Sequence, residues 1–330
     1  MSLHRLDRLL LQRLADGQFH SGAALADHLR VTRTSVWKHM RALDRLGLDV
    51  ASVPGRGYRL LSPVELLFPD TIQAGMSPAA ARLLARLDIH EQLDSTNTHL
   101  LQAATQGALP GSVCLAEHQL AGRGRLGRTW VSPFGANIYL SLLWRFESPA
   151  QLSGLSLAVG VVVLRALRSL GVQGAALKWP NDILWREAKL GGILLEVAGE
   201  SHGPCVVVAG LGLNRFLPED AASQIDQAHT DLTRMTGGRP PSRHDLVCAL
   251  LNDMLPVFRD FAETGLAPYL PEWRAAHAHA GQEGQLRMGD TVIEGRIVDI
   301  TDEGLLVLRE PNGRTRAFAS GDVSLRVKPS

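Results

Sequence analysis

Three arginines and three glycines fall within seven residues of this chain, Gly122-Arg123-Gly124-Arg125-Leu126-Gly127-Arg128, and Trp130 follows. Glycine lets a main chain turn sharply and approach a ligand closely. Arginine carries a permanent charge on a forked donor that suits phosphate and carboxylate oxygens. The combination predicts a loop around a small anion, with a basic surface loop or a nucleic-acid patch as the other readings of the segment alone. Three more segments have chemistry to offer. Asp94-Ser95-Thr96-Asn97-Thr98 precedes an expected helix, where such residues serve as caps or aim hydroxyls and amides at a polar head group. Lys178-Trp179-Pro180-Asn181-Asp182 is a turn, because Pro180 blocks regular pairing, and it displays a cation, an indole and a carboxylate together. Lys189-Leu190-Gly191-Gly192-Ile193 places a lysine at the mouth of an apolar strand, projecting into a cleft or into solvent.

The elements that must position these groups fall in three pieces, expected at 1–62, 63–278 and 279–330. In the first, Leu3, Leu6, Leu10 and Leu14 recur at helical spacing until Gly17. Ser21 caps a second helix, and a third runs from Arg33 to about Leu46. That third helix turns Val36, Met40 and Leu43 inward and Arg33, Thr34, Ser35, Lys38, His39 and Arg41 outward. Two strands around Pro54-Gly55-Arg56-Gly57 complete a winged helix-turn-helix. Ten basic side chains stand against five acidic ones in 1–62, although the chain as a whole carries only +1. This asymmetry points to DNA, with Ser21, Arg33, Thr34, Ser35, Lys38, His39, Arg41 and Arg56 as the expected contacts. A small helical bundle for protein contacts is the alternative.

The middle piece alternates helix and strand patterns and reads as a mixed α/β domain entered through a linker at Ser62-Pro63. The last piece has five short strands punctuated by Gly289-Asp290, Asp302-Glu303-Gly304 and Pro311-Asn312-Gly313, a small β-barrel of the SH3-like size. The fold class is thus α+β, multidomain. Hydrophobic residues at 45% and charged residues at 20% describe a globular chain with an ample core. Cys114, Cys205 and Cys248 are odd in number, far apart and without metal-ligand spacing, so reduced buried thiols and a cytoplasmic setting are expected, with no metal site. The N-terminus has arginines throughout and no signal-peptide core, and the apolar run from Leu155 to Leu164 falls short of the ~20 residues of a membrane span. No membrane partner is expected.

Taken in order, Asp-Ser-Thr-Asn, Gln119, Gly-Arg-Gly-Arg, Lys-Trp-Pro-Asn-Asp and Lys-Leu-Gly-Gly-Ile closely resemble the biotin protein ligases. Ser132-Pro133-Phe134-Gly135-Ala136-Asn137 matches the same pattern, and the resemblance spans nearly the whole chain. The winged helix ahead and the small barrel behind are similar to the bifunctional form, both ligase and biotin-operon repressor. The resemblance implies a reaction of biotin with ATP to biotinyl-5′-adenylate, with Mg²⁺, followed by transfer to a lysine of the biotin carboxyl carrier protein of acetyl-CoA carboxylase. It implies further that the adenylate-bound protein is a homodimer on operator DNA.

The site residues implied by that resemblance are those of the four segments. Arg123, Arg125 and Arg128 screen the repulsion between carboxylate and phosphate, with Lys189 and Lys178 in the same adenylating machinery. Ser95, Thr96, Asn97 and Gln119 contact the ureido head and its pocket, while Gly124 and Gly192 let the backbone come close. Asp182 orients or deprotonates the acceptor lysine, Trp130 and Trp179 line the nucleotide side, and Asn214 ends a strand near the site. Leu126 departs from the basic residue often found there. A biotin sensor without ligase activity and a lipoate-type ligase are the competing readings.

Overall fold

The computed structural model describes residues 5–44, 46–62, 64–200, 202–321 and 323–327. Leu3, Arg45 and Pro63, used above for the first helix, the basic excess and the linker, lie outside them.

Helices α1 (Arg5–Leu14), α2 (Gly22–Leu29) and α3 (Arg33–Asp44) form the N-terminal unit with the hairpin β1 (Val50–Val53) and β2 (Gly57–Leu60). Ser21 caps α2 by accepting from Ala24 N at 3.1 Å. Gly57, at φ +102°, lets the wing pass against His20, where a Cβ would meet the His20 carbonyl at 2.0 Å. Leu10, Leu11, Leu14, Leu25, Val36, Met40 and Leu43 make the core expected from the helical spacing. Three residues from beyond the hairpin, Val64, Leu66 and Phe134, are buried in that same core.

After α4 (Pro69–Gly75) and α5 (Pro78–Ala81) comes the central sheet. Its strands are β3 (Arg86–His90), β4 (Ser112–Ala116), β5 (Ile138–Phe146), β6 (Ala176–Lys178), β7 (Asp182–Trp185), β8 (Ala188–Gly199) and β9 (Cys205–Leu213). They lie in the order β3-β4-β5-β9-β8-β7-β6; β3 and β4 are parallel and every other pair antiparallel. Alternation along the strands sends side chains to two faces. Val113, Leu142 and Val207 join the main core under α7 (Leu155–Ser169) and α10 (Arg243–Thr264), while Cys114, Leu143 and Val208 pack under α6 (Thr96–Thr105). The stretch Pro149–Ser169 is long and apolar enough to cross a membrane by length and composition. Eleven of the fifteen residues of α7 are nevertheless buried in this core, which accounts for their apolar character. Short helices α8 (Glu219–Ala222), α9 (Leu232–Met235) and α11 (Leu270–Ala275) fill the edges.

The small C-terminal β unit is a five-stranded antiparallel sheet. It comprises β10 (Glu283–Met288), β11 (Thr291–Ile300), β12 (Leu306–Arg309), β13 (Thr315–Phe318) and β14 (Val323–Val327). Its inward residues Leu286, Ile297, Leu306 and Phe318 are continuous with the main core. The three free cysteines match the expectation of thiols, Cys114 and Cys205 buried and Cys248 half-buried.

Candidate active site

A cleft of about 1000 Å³ opens where the N-terminus of α6, the β4–β5 loop, the β6–β7 turn and the β8 and β9 strands converge. At its apolar-backed end sits the polar cluster. Ser95 occupies the N-cap of α6, yet its hydroxyl makes no capping bond, so it is free to face the cleft. Thr96 N donates to Gln119 Oε1 at 2.9 Å, which brings the two segments together. Asn97 donates to Leu194 O at 3.2 Å and to Glu196 Oε2 at 2.8 Å. The Ser141 hydroxyl donates to Asn97 Oδ1 at 2.6 Å and lies 2.7 Å from the Thr96 hydroxyl. Ser141 was not singled out from sequence; it is one polar residue in an apolar strand, and that contrast was the available signal.

The glycine-arginine loop is ordered by its own backbone. Trp130 N donates to Gly122 O at 2.8 Å and Gly124 N to Arg128 O at 2.7 Å, closing a narrow hairpin around a single 3₁₀ turn, Arg125–Gly127. Leu126 sits in the left-handed region, at φ +56°, with its side chain outward. Non-glycine residues avoid that region at a cost of about 1–2 kcal/mol. Gly122 is required where it is, since a Cβ would meet Trp130 O at 2.5 Å. Arg123 bridges to Glu196 at 2.9 Å and donates to Thr98 at 3.0 Å. Arg125 reaches Asn181 Oδ1 at 3.2 Å and the carbonyls of Ser320 and Gly321 in the C-terminal sheet. The loop therefore reaches α6, β8, the β6–β7 turn and the C-terminal sheet. Trp130 lies over Gly192 and Gly212: a Cβ on Gly212 would come within 2.4 Å of the indole.

Cations gather at the other end. Lys189 Nζ is 2.6 Å from Asp182 Oδ1, with both side chains mostly buried at 16% and 18% exposure. Lys189 also stands 5.7 Å from the Trp130 ring centroid. Burial holds the Lys178 ammonium below its ordinary pKa; Asp182 pulls it back up, and Lys189 and Arg128 push it further down. Lys178, Lys189 and Arg128 outnumber the two carboxylates that reach them, Asp182 and the more distant Glu187, and so leave a site that favours an added anion.

Ser95, Thr96, Asn97, Gln119, Arg123, Gly124, Arg125, Arg128, Trp130, Lys178, Asp182, Lys189, Gly192 and Asn214 all line this one cleft. Asn214 supports it chiefly through the backbone: its side chain donates to Thr230 O at 3.1 Å. Trp179 also lines the cleft; it is 1% exposed and donates its indole N–H to Gly304 O at 3.0 Å, which ties the turn to the C-terminal unit. The wall formed by Gln224, Ile225, Asp226, Gln227 and His229 was missed. It is brought in because Lys189 pairs with the segment 228–230, a long-range contact with no local pattern.

On the N-terminal unit, Arg33, Thr34, Lys38, Arg41 and Arg56 are exposed and Ser35 half-exposed. Ser21 is exposed, and its hydroxyl accepts from Ala24 N as the expected cap. His39, expected on the outer side, turns inward: its Nδ1 meets Asp7 Oδ1 at 2.6 Å and ties α3 to α1. Trp37, 48% exposed beneath the Arg41 guanidinium, shares the outer side of α3 and was not anticipated.

A cleft of converging cations and a polar nest, carried behind a winged helix, defines a ligase-type core joined to a DNA-binding unit. The sequence profile of the biotin/lipoate A/B protein ligase family matches residues 89–214, an HTH domain matches 5–59, and the biotin protein ligase C-terminal domain matches 279–326. The chain is 37% identical over 318 residues to the bifunctional ligase/repressor BirA of Escherichia coli K12, covering 96% of each chain. It is 30% identical over 323 residues to that of Bacillus subtilis, covering 97% of this chain and 98% of the relative. A biotin protein ligase from Aquifex aeolicus in complex with biotin and ATP superposes with a TM-score of 0.63 at 27% identity, over 74% of this chain and all of the other. The chain belongs to the biotin protein ligase family, and over its full length it is similar to the family's bifunctional ligase/repressors.

Proposed function

We propose that this protein activates biotin with ATP, transfers it to a lysine of a carrier protein, and represses transcription through its winged helix. The observation that carries the reading is the cleft itself, with a hydrogen-bonding nest and Arg123 at one end and Lys178, Lys189, Arg125 and Arg128 gathered around the β6–β7 turn at the other. The ureido head fits the nest of Ser95, Thr96, Asn97 and Gln119, where few polar groups stand in a largely apolar setting. A carboxylate oxygen of biotin then attacks the α-phosphorus and pyrophosphate leaves. Lys189, released from Asp182, neutralises charge on the reacting oxygens. In the second step the acceptor lysine amine, having lost a proton, attacks the biotinyl carbonyl and AMP departs. Asp182, vacated by Lys189, is the carboxylate placed to orient that amine or take its proton.

Trp130, whose indole N–H is buried without a partner among the described residues, is suited to donate to the adenylate it covers. Asp182 and Glu196 are each paired with a cation, while Asp226 stands exposed on the 224–229 wall, so Mg²⁺ would be held mainly by the nucleotide phosphates and water, with Asp226 the carboxylate left to approach it. It would supply further screening of phosphate charge.

The carrier is a biotin carboxyl carrier protein of acetyl-CoA carboxylase, and free thiols fit a cytoplasmic home. A homodimer formed on adenylate binding would set two α3 helices on a palindromic operator, with Arg33, Thr34, Ser35, Lys38, Arg41 and Arg56 as the DNA-facing residues. Isotope exchange between pyrophosphate and ATP, run with biotin and with lipoate, tests the chemistry. Exchange with biotin alone supports the proposal; no exchange, or exchange with lipoate alone, overturns it.

A further inference from the structure

Away from the ligase cleft, on the α6 face of the central sheet, three side chains from three elements meet. His90 ends the edge strand β3, Cys114 lies on its parallel neighbour β4, and His99 lies on α6. A ring nitrogen from each histidine and the Cys114 sulfur all lie within 4.8 Å of one another. The two imidazoles are tilted by 59° with centroids 4.4 Å apart, so they do not stack. His90 Nε2 is buried and bonded to nothing among the described residues. An unpaired buried donor or acceptor is costly, and a group so placed calls for a partner.

We propose that His90, His99 and Cys114 bind a zinc ion at a site separate from the ligase cleft. Two imidazoles and a thiolate form a donor set that this borderline metal accepts in tetrahedral geometry. Bonds of about 2.0–2.3 Å place such ligands roughly 3.5 Å apart, so side-chain rotation of about an ångström closes the set. The Cys114 thiol gives its proton to solvent as the sulfur binds. A second cleft, of about 480 Å³, borders the cluster along Asp88, His99 and Ser112 and gives the ion a path inward. Asp88 precedes His90 by two residues on the same strand face, opposite Cys114 in register, and Arg86 holds its carboxylate at 2.7 Å. That carboxylate stands outside the set of atoms within 4.8 Å of one another, so a water completes the fourth position.

Zinc here would clamp α6 to β3 and β4. His99 N donates to Ser95 O at 2.9 Å, one turn from the polar nest, so the clamp braces the helix start that faces the ligase cleft. The site needs neither biotin nor ATP to be tested. The full chain is stripped of metal and titrated with Co²⁺ or Zn²⁺ alone. Expected are one equivalent bound per chain, a thiolate-to-cobalt charge-transfer band, and a melting temperature raised by several degrees.

His90→Gln and His99→Gln each weaken binding at least tenfold, and Cys114→Ser removes the charge-transfer band. Because Cys114 is fully buried and its replacement strains the fold, the less buried histidines provide the independent check. His99→Gln without added metal keeps ligase turnover within twofold. Absence of saturable binding, affinity unchanged in both histidine variants, or a thiolate band that persists in Cys114→Ser overturns the proposal. None of these results bears on the ligase reading, which the exchange assay judges separately.

Discussion

Replacing Lys189 with alanine separates its role in chemistry from its role in the resting fold. In the resting protein the ammonium pairs with Asp182 at 2.6 Å, both groups mostly but not wholly buried. Exposed pairs contribute about 0–1 kcal/mol, whereas breaking a fully buried one costs about 3–5 kcal/mol. The pair lies between these limits, and Lys178 and Arg128 remain near Asp182, so a loss of about 1–2 kcal/mol is expected. The domain then stays folded, with its melting temperature lowered by a few degrees. In the reaction proposed above, the same ammonium would face charge that grows at phosphorus. Removing one such donor typically costs 10²–10³ in kcat, about 2.7–4 kcal/mol. Pyrophosphate exchange by Lys189→Ala should therefore fall about 10²–10³-fold. The KM for biotin should move little, because Ser95, Thr96, Asn97 and Gln119 hold the far end of the cleft. Exchange within tenfold of wild type, in a variant that melts cooperatively, would refute the assignment of Lys189 to the adenylation step.

Arg125→Gly removes the bonds from the loop to Asn181, Ser320 and Gly321, so the adenylate should escape and label bystander lysines at least tenfold more than wild type; equal labelling argues against a lid. Gly210→Ala would place a Cβ 2.2 Å from Asn97 Oδ1, so biotin affinity measured by calorimetry should drop at least tenfold while ATP affinity stays within twofold; unchanged biotin affinity removes Asn97 from the nest. Burial, reinforced by His279, pulls His277 down to about 4 from 6.5. The unfolded chain therefore takes up a proton between these values that the native state refuses, and stability is lost as pH falls from 6.5 through 4. The cost is about 3 kcal/mol, read as a falling urea midpoint; a slope identical in His277→Asn would assign the loss to other groups. Arg33→Ala and Lys38→Ala on α3 should each weaken operator binding at all salt concentrations and flatten its salt dependence, read by gel shift; an unaltered slope would place DNA elsewhere.

The parts legible in the sequence were those with a local cause. Helix α3 and the wing followed from apolar spacing and from Pro54-Gly55, and the five C-terminal strands from their turn residues. Strand β3 does not stand out within the α/β piece because Arg86-Leu87-Asp88-Ile89-His90 is short and rich in polar side chains; its place depends on parallel pairing with β4, twenty-six residues further on. The β6–β7 hairpin was seen only as its turn, since strands of three and four residues carry too little pattern. In the site, three glycine-, arginine- or lysine-bearing segments and the polar run Asp94–Thr98 announced themselves by composition, while the wall at 224–229 depends on a bridge to Lys189 that no spacing encodes. The orientation of His39 could not be read either, because helical periodicity placed it on the outer side and a carboxylate on another helix decided the matter.

One segment links the two halves of the molecule in a way that composition alone hides. Gln119 accepts from Thr96 N at the nest and donates to the Ser132 hydroxyl at 3.2 Å. Two residues later Phe134 is buried in the core of the winged helix, and Gly135 N donates to Glu117 O at 2.9 Å. Glu117 in turn pairs with the fully buried Arg243, which also bonds the linker through the Glu65 carbonyl. A buried pair of this kind is rigid because losing either partner strands the other charge. The chain that follows the arginine loop is thus pinned to the ligand nest at one end and plugged into the DNA-binding core at the other. Close-packed interiors transmit displacement instead of absorbing it, so a ligand that orders the loop and draws on Gln119 acts on the same short segment that seats the winged helix.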